Sequence, residues 1–272
     1  MIRLGLTGYP LGYSLSPKIH NTALQICGLE GNYSLFPIHP NDRQGLKDLL
    51  ARIRSCEITG LNVTIPHKQN VIPLLDELTD TAKTIGAVNT IYLHGDKLIG
   101  DNTDAPGFLF DLKRFFPGEH TEKNALVLGA GGSARAVVFA LANDGWNITL
   151  TARRIEQAKE LVKQFKNIHA IELNCQTLQH SNLQLIVNTT PIGMTPNTDQ
   201  SPWPEILIFP PHVAIYDLIY NPRETKLVKD AYAKGLPATT GLGMLIEQAA
   251  LAFEIWTGHN LPRNIFIDSV VE

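Results

Sequence analysis

Midway along the chain the apolar run Leu126-Val127-Leu128 leads without a break into Gly129-Ala130-Gly131-Gly132-Ser133-Ala134, which opens onto a helix-forming stretch, Ser133 to Ala142. A strand, a Gly-x-Gly-x-x-Ala turn and a helix in that order predict a dinucleotide-binding unit. Gly129 permits the tight turn, Gly131 lets the backbone approach a pyrophosphate, and Ala134 allows close helix packing. The helix N-terminus offers free N–H groups and a positive dipole end to the anion. A glycine-rich turn without a ligand is the alternative, and the flanking strand and helix argue against it. Sites that bind a ribose 2′-OH carry an Asp or Glu about 20 residues further on. Here the only charged residues between Asp144 and Glu156 are Arg153 and Arg154. Cations at a helix start are disfavoured unless an anion is present, so the pair fits a 2′-phosphate and predicts NADP(H). Two solvated arginines on a loop are the rival reading.

The rest of the chain repeats this alternation. Short apolar or β-branched runs at Ile2 to Thr7, Tyr33 to Ile38 and Ile58 to Thr64 interleave with helix-like stretches at Pro17 to Cys27 and Asp42 to Ile53, which predicts an α/β fold with mostly parallel strands. A hairpin is expected where Ala87 to His94 and Lys97 to Gly100 flank Gly95-Asp96, and a helix over Ala105 to Phe116 ends at Pro117-Gly118. A second series follows. Its strands are expected at Ala125 to Leu128, Asn147 to Thr151, Leu183 to Val187 and Val213 to Leu218, and its helices at Ser133 to Ala142 and Ile155 to Phe165. Beyond Gly241-Leu242-Gly243 the chain reads as helix to Trp256 with no later strand to pair, so this tail is expected to pack on the first domain. The expected domains are residues 1–104 plus 241–272, and a Rossmann-like unit over 105–240.

Charge and cysteine content narrow the partners. The balance of 23 Lys+Arg against 26 Asp+Glu argues against a nucleic-acid partner. Apolar runs such as Ala136 to Ala142 are far shorter than the roughly 18 residues of a membrane span, and Ile2-Arg3-Leu4-Gly5-Leu6 lacks a signal-peptide profile, so a cytoplasmic protein off the membrane is expected. Cys27, Cys56 and Cys175 form no Cys-x-x-Cys pair and have no His at ligand spacing, which argues against disulfides and zinc. Asp101 and Asp104 suggest a metal pair at first sight, but no further carboxylate or His clusters with them, and no metal is expected.

Several segments carry more polar residues than their apolar neighbourhoods require: Ser14-Leu15-Ser16, Asn62-Val63-Thr64-Ile65-Pro66-His67-Lys68, Gly86-Ala87-Val88-Asn89-Thr90, Asn102-Thr103-Asp104 and, in the tail, Gln248. The second half adds Asn188-Thr189-Thr190 before Gly193-Met194, Asp217 with Tyr220-Asn221-Pro222, and Gly241-Leu242-Gly243-Met244-Leu245. In this order and spacing the chain resembles the shikimate dehydrogenase family from about Gly8 to Trp256.

The resemblance implies NADPH-dependent reduction of 3-dehydroshikimate to shikimate, on the route to chorismate and the aromatic amino acids. It implies that Ser14 and Ser16 hold the substrate carboxylate, that Thr64, Asn89, Asp104 and Gln248 hold ring hydroxyls, and that Tyr220 contacts substrate. Asp104 is expected to pair with Lys68. Asp80, Gly129, Ala130, Gly131, Gly132, Ser133, Ala152, Arg153, Arg154, Thr189, Leu218 and Gly241 are implied at the cofactor. Many members read Asn-Arg-Thr where this chain has Ala152-Arg153-Arg154. A homodimer is left open.

Each position also has a local reading. Ser16 before Pro17 is a good N-cap, whereas Ser14 has no such role. Thr64 closes a strand, Asn89 satisfies backbone, Asp104 caps the helix that follows, and Asp80 after Thr79 suits a helix's first turn. Gln248 lies on a stripe with Met244, Ala252 and Ile255, and is a core glutamine or a ligand contact; Tyr220 is likewise core or contact. Lys68 is the sharpest candidate on chemical grounds. Ketone reduction needs a proton donor at the developing alkoxide, and an ammonium beside a carboxylate supplies charge and proton together. The alternative for Lys68 is an ordinary surface lysine, and His67 competes as acid or base. Two other functions stand beside this one: a quinate/shikimate dehydrogenase that also uses NAD, and a non-catalytic NADP-sensing module.

Overall fold

The computed structural model describes residues 1–118, 122–165, 168–174 and 182–271. It divides into two compact units, Met1–Gly107 with Ile246–Glu272, and Phe108–Leu245. The divisions fall inside two helices, Asp104–Phe115 and Leu242–Thr257, where no change of composition marks a boundary.

The first unit is built on six strands: β1 (Ile2–Gly8), β2 (Gly31–Pro37), β3 (Gly60–Val63), β4 (Glu77–Leu78), β5 (Thr90–His94) and β6 (Lys97–Asp101). Their order is β2-β1-β3-β5-β6-β4. β1 runs parallel to β2 and β3, and the β5–β6 hairpin is antiparallel both internally and to β3, so the sheet is mixed. Helices α1 (Ser16–Ile26), α2 (Arg43–Arg54) and α3 (Asp80–Ile85) complete this part of the chain. In α2 the Asp42 carboxylate accepts from Gly45 N at 2.8 Å, which satisfies one free donor of the first turn. Leu46, Leu49, Leu50 and Ile53, spaced on one helical face, are buried with Leu61, Val63, Ile91 and Leu98 of the sheet.

Helix α4 (Asp104–Phe115) follows the hairpin. The second unit then carries β7 (Asn124–Leu128), α5 (Gly132–Asn143), β8 (Asn147–Thr151), α6 (Ile155–Val162), β9 (Ile168–Ala170), β10 (Leu185–Asn188), β11 (Ala214–Asp217), α7 (Lys226–Tyr232) and β12 (Ala238–Thr240). All pairings are parallel and the order is β12-β11-β10-β7-β8-β9. This is the doubly wound arrangement, and its strand order reverses between β7 and β10, where such sheets bind ligands beyond the strand ends.

The tail forms α8 (Leu242–Thr257) and α9 (Arg263–Val271). Within the first unit the Trp256 indole donates to Ile91 O at 3.2 Å and lies over Gly60, where a Cβ would sit 2.3 Å from the ring. α9 packs on α1. Cys27 and Cys56 are free thiols, and Cys175 lies outside the described residues.

Candidate active site and nucleotide loop

Lys68 and Asp104 meet in the first unit. Lys68 follows β3 by a short turn, Asp104 opens α4, and Lys68 Nζ donates to Asp104 Oδ2 at 2.6 Å with both side chains buried. A random surface lysine is therefore not the explanation. Removing two charges from water costs several kcal/mol per ion even after relaxation, and an apolar pair would hold the fold as well, so this pair is poorly explained by stability. The other Asp104 oxygen accepts from Asn89 Nδ2 at 2.9 Å, and the same amide lies 2.9 Å from Thr103 Oγ1 and 3.3 Å from Gln248 Oε1. Gln248 reaches this point from α8. Local capping does not account for Asp104, because Asn102 Oδ1 serves the first turn of α4 by accepting from Ala105 N at 3.2 Å.

Two local readings need correction. Ser16 is not the N-cap of α1: Leu15 holds that position with no side-chain cap, and Pro17 sits at the second helical residue. The Ser14 hydroxyl does have a local task, accepting from Ser16 N at 3.3 Å. The Leu15 backbone is already helical, which pulls the helix start one residue earlier. Ser16 is buried, and its hydroxyl makes no hydrogen bond to a described residue. Thr64 is half-buried just after β3. His67 is buried, and its Nε2 donates to Ile38 O at 2.8 Å. A carbonyl can only accept, so that nitrogen carries the proton and the ring is committed to the fold. Asp80 is exposed in the first turn of α3, where Thr79 provides the cap. Asp101 Oδ1 is occupied by Thr79 Oγ1 at 2.7 Å. No group of three or more potential metal ligands occurs among the described residues.

In the second unit the loop after β7 has the geometry of an anion cradle. Gly129 has φ +113°, and a Cβ there would lie 2.5 Å from Thr189 Oγ1; only glycine takes this position without strain. Thr189 in turn donates to Leu128 O at 2.7 Å, fixing the strand end before the turn. Ala130 and Gly132 flank Gly131, the N-cap of α5, and a Cβ on Gly131 would meet nothing within 4 Å, so the space over the helix N-terminus is open. Ser133 is half-buried in the first turn of α5. Arg153 and Arg154 follow Ala152 at the start of α6, are exposed, and form no ion pair with a described residue. Gly241 passes so close to Leu218 that a Cβ would lie 2.1 Å from its carbonyl oxygen. These residues fit a dinucleotide with a 2′-phosphate: a backbone cradle for the pyrophosphate and two free cations.

Other residues of the polar segments have no role assigned from sequence. Asp217 ends β11, fully buried, and accepts from Thr225 Oγ1 at 2.7 Å, Asn188 Nδ2 at 2.8 Å and Ile219 N at 3.1 Å. Burial pushes its carboxyl up to about 6, against the effect of those donors. It fixes the strand end that leads to Leu218 and to the half-buried Tyr220. Asn62, Thr90 and Thr103 are buried beside Asn89; their polarity among apolar strand residues is the signal that marks their segments in the sequence, without giving each a role.

Comparison with known proteins finds relatives over nearly the whole chain. Residues 6–91 match the model described as the shikimate dehydrogenase substrate binding domain, residues 112–191 that of shikimate / quinate 5-dehydrogenase, and residues 241–270 that of the shikimate 5'-dehydrogenase C-terminal domain. The shikimate dehydrogenase (NADP(+)) of Carboxydothermus hydrogenoformans is 43% identical over 265 residues, which cover 96% of this chain and 93% of that protein. The crystal structure of shikimate dehydrogenase from Aquifex aeolicus is similar with a TM-score of 0.88 at 37% identity, covering 100% of this chain and 98% of that one. Shikimate 5-dehydrogenase from Thermus thermophilus, solved in complex with NADP(H) and shikimate, is similar with a TM-score of 0.87 at 38% identity, over 99% and 98% of the two chains. Two folded units with a buried Lys–Asp pair in one and a nucleotide loop in the other, and relatives of this identity over nearly the full length, lead to one conclusion: the chain belongs to the shikimate dehydrogenase family.

Proposed function

We propose that this chain catalyses the reversible NADP(H)-dependent interconversion of 3-dehydroshikimate and shikimate in the shikimate pathway. The observation that carries the reading is the buried Lys68–Asp104 pair, edged by the amides of Asn89 and Gln248. NADP(H), when bound, supplies or accepts the hydride. As the carbonyl becomes an alkoxide, Lys68 Nζ gives it a proton, and in the reverse direction takes one from the hydroxyl. Asp104 balances the ammonium charge and aims it, and a water-poor setting strengthens both effects. Ser14 and Ser16 hold the substrate carboxylate; the free hydroxyl of Ser16 supports this. Thr64, Asn89, Asp104 and Gln248 hold the ring hydroxyls, and Tyr220 is a further substrate contact. The cofactor lies along Gly129 to Ser133, with Ala152, Arg153 and Arg154 at its 2′-phosphate and Asp80, Thr189, Leu218 and Gly241 beside it.

Oxidation of shikimate with NADP+, followed by the absorbance of the reduced nicotinamide, tests the proposal; no turnover of shikimate with either nicotinamide cofactor would overturn it. The match to a shikimate / quinate 5-dehydrogenase model makes quinate the second substrate to try, and the ratio of kcat/KM on the two acids decides which is native. Among the described residues no helix is long and apolar enough to cross a membrane.

A further inference from the structure

A line of buried side chains runs from β2 to the Lys68–Asp104 pair. Tyr33, on β2, donates its phenolic hydrogen to Asn62 Oδ1 at 2.8 Å. With that oxygen engaged, Asn62 turns its Nδ2 to Asn89 O at 3.1 Å and to Thr90 Oγ1 at 3.3 Å. The Thr90 hydroxyl lies 3.0 Å from Asn89 Oδ1 and 3.3 Å from Thr103 Oγ1, and gives its single proton to the nearer oxygen, that of Asn89. Asn89 is left with its amine facing Asp104 Oδ1 at 2.9 Å, while Lys68 holds Oδ2 at 2.6 Å. Tyr33, Asn62, Thr90, Asn89, Asp104 and Lys68 are all buried, so no bulk water substitutes for a lost link.

The far end of the line is itself held. Tyr33 N donates to Asn21 Oδ1 at 2.7 Å and Asn21 Nδ2 donates back to Tyr33 O at 3.3 Å, which ties β2 to α1. The His20 ring stacks on the Tyr33 ring with centroids 4.4 Å apart and planes 5° from parallel. A phenol clamped by backbone and by stacking has little freedom to point its hydroxyl elsewhere.

We propose that Tyr33 is a positioning residue for the reaction: acting through Asn62, Thr90 and Asn89, its hydroxyl sets the amide orientation that presents one donor to Asp104 and so holds the Lys68–Asp104 pair in its working geometry. Without the phenol oxygen, Asn62 Oδ1 is left buried without its donor, and the amide is held only through Asn89 O and Thr90 Oγ1. An amide that shifts to regain a donor loosens its contact with Thr90 Oγ1, and the support for Asn89 weakens. Thr103 N, which also donates to Asn89 Oδ1 at 2.7 Å, retains part of that support, so the effect is a partial loss.

This inference rests on the proposed dehydrogenase reading, and the test separates the two. The full chain and its Tyr33→Phe, Thr90→Val, Thr90→Ser and Ile53→Val variants are assayed for shikimate oxidation with NADP+. Wild-type turnover is the check on the reading itself; its absence would remove the reaction and this proposal with it. Given turnover, Tyr33→Phe is expected to lose about three- to tenfold in kcat, with KM for shikimate and for NADP+ within about twofold. Thr90→Val is expected to lose as much or more, Thr90→Ser to keep the wild-type kcat, and the Tyr33→Phe/Thr90→Val double variant to be no worse than Thr90→Val. Ile53→Val, which thins the same unit's core away from this line, is expected to leave kcat unchanged. Native kcat in folded Tyr33→Phe would overturn the proposal, as would multiplicative losses in the double variant. Should Tyr33→Phe not fold, equal kcat in Thr90→Val and Thr90→Ser would overturn it.

Discussion

Arg153 and Arg154 show what a single position can decide. They occupy the place of the carboxylate that would hold a ribose 2′-OH, at a helix start that repels cations until an anion arrives. We expect NADP+ to be preferred over NAD+ by at least about tenfold in kcat/KM, about 1.4 kcal/mol. Changing both arginines to alanine should raise KM for NADP+ and leave NAD+ kinetics nearly untouched; equal losses with the two cofactors would remove the 2′-phosphate assignment. His20 makes a different kind of statement. Burial lowers its pKa to about 3 against a weaker opposing effect of the Asn62 side chain, and neither ring nitrogen has a partner at full hydrogen-bond geometry, so the folded chain holds it neutral. A histidine whose folded pKa lies below its unfolded value of 6.5 contributes fully above that pH, and the contribution is lost as pH falls toward 3. Urea unfolding at about pH 7.5 and about pH 5 should show the wild type losing about 2 kcal/mol more than His20→Phe, from 1.4 kcal/mol per pH unit. Parallel losses in the two proteins would show that His20 does not titrate on unfolding in this range. Nothing in the sequence marks His20, since its character comes from Tyr33, Phe253 and Trp256 folding around it.

The β7-turn-α5 element is legible in sequence because each glycine answers a local demand: Gly129 adopts positive φ and Gly131 leaves its outer side open. Valine at Gly131 adds side-chain atoms only to that open side. Gly131→Val should therefore fold normally while nucleotide affinity collapses, and calorimetric titration showing unchanged NADP+ binding would reduce the loop to a turn. Other elements are hidden by their length. β4, β9 and β12 have two or three residues each, too few for a periodicity of two to register, and they form only by pairing with β6, β8 and β11. All four residues of β10 and of β11 are buried, so those strands show three apolar residues in a row, closed by Asn188 and Asp217, in place of alternation. At the start of α1 the pattern Ser16-Pro17 points to a cap, whereas the backbone places Leu15 there and assigns the capping contact to Ser14. A preference for one residue type at a helix start is weaker than the path of the chain that enters it.

Taken as a whole, the chain folds as a mixed sheet in the unit that holds the Lys68–Asp104 pair and a parallel doubly wound sheet with the glycine-rich loop after β7. The second is readable from one motif. The first is less so, because Lys68, Asn89, Asp104 and Gln248 lie far apart along the chain, Asn89 and Gln248 by 159 positions, and are joined only by folding; scattered polar segments and the family resemblance, with no single contiguous motif, point to them. Asp104→Asn should lower kcat and also raise KM, since Asp104 is assigned a ring hydroxyl as well as Lys68. The most direct test of the account is the steady-state kinetics of Lys68→Ala with shikimate and NADP+. A general acid at the developing alkoxide is worth roughly 10² to 10⁴ in rate, so kcat should fall by that factor while KM for shikimate moves by less than about tenfold, the carboxylate and hydroxyl contacts being intact. A Lys68→Ala enzyme with near-native kcat would contradict the assignment of the proton to this lysine.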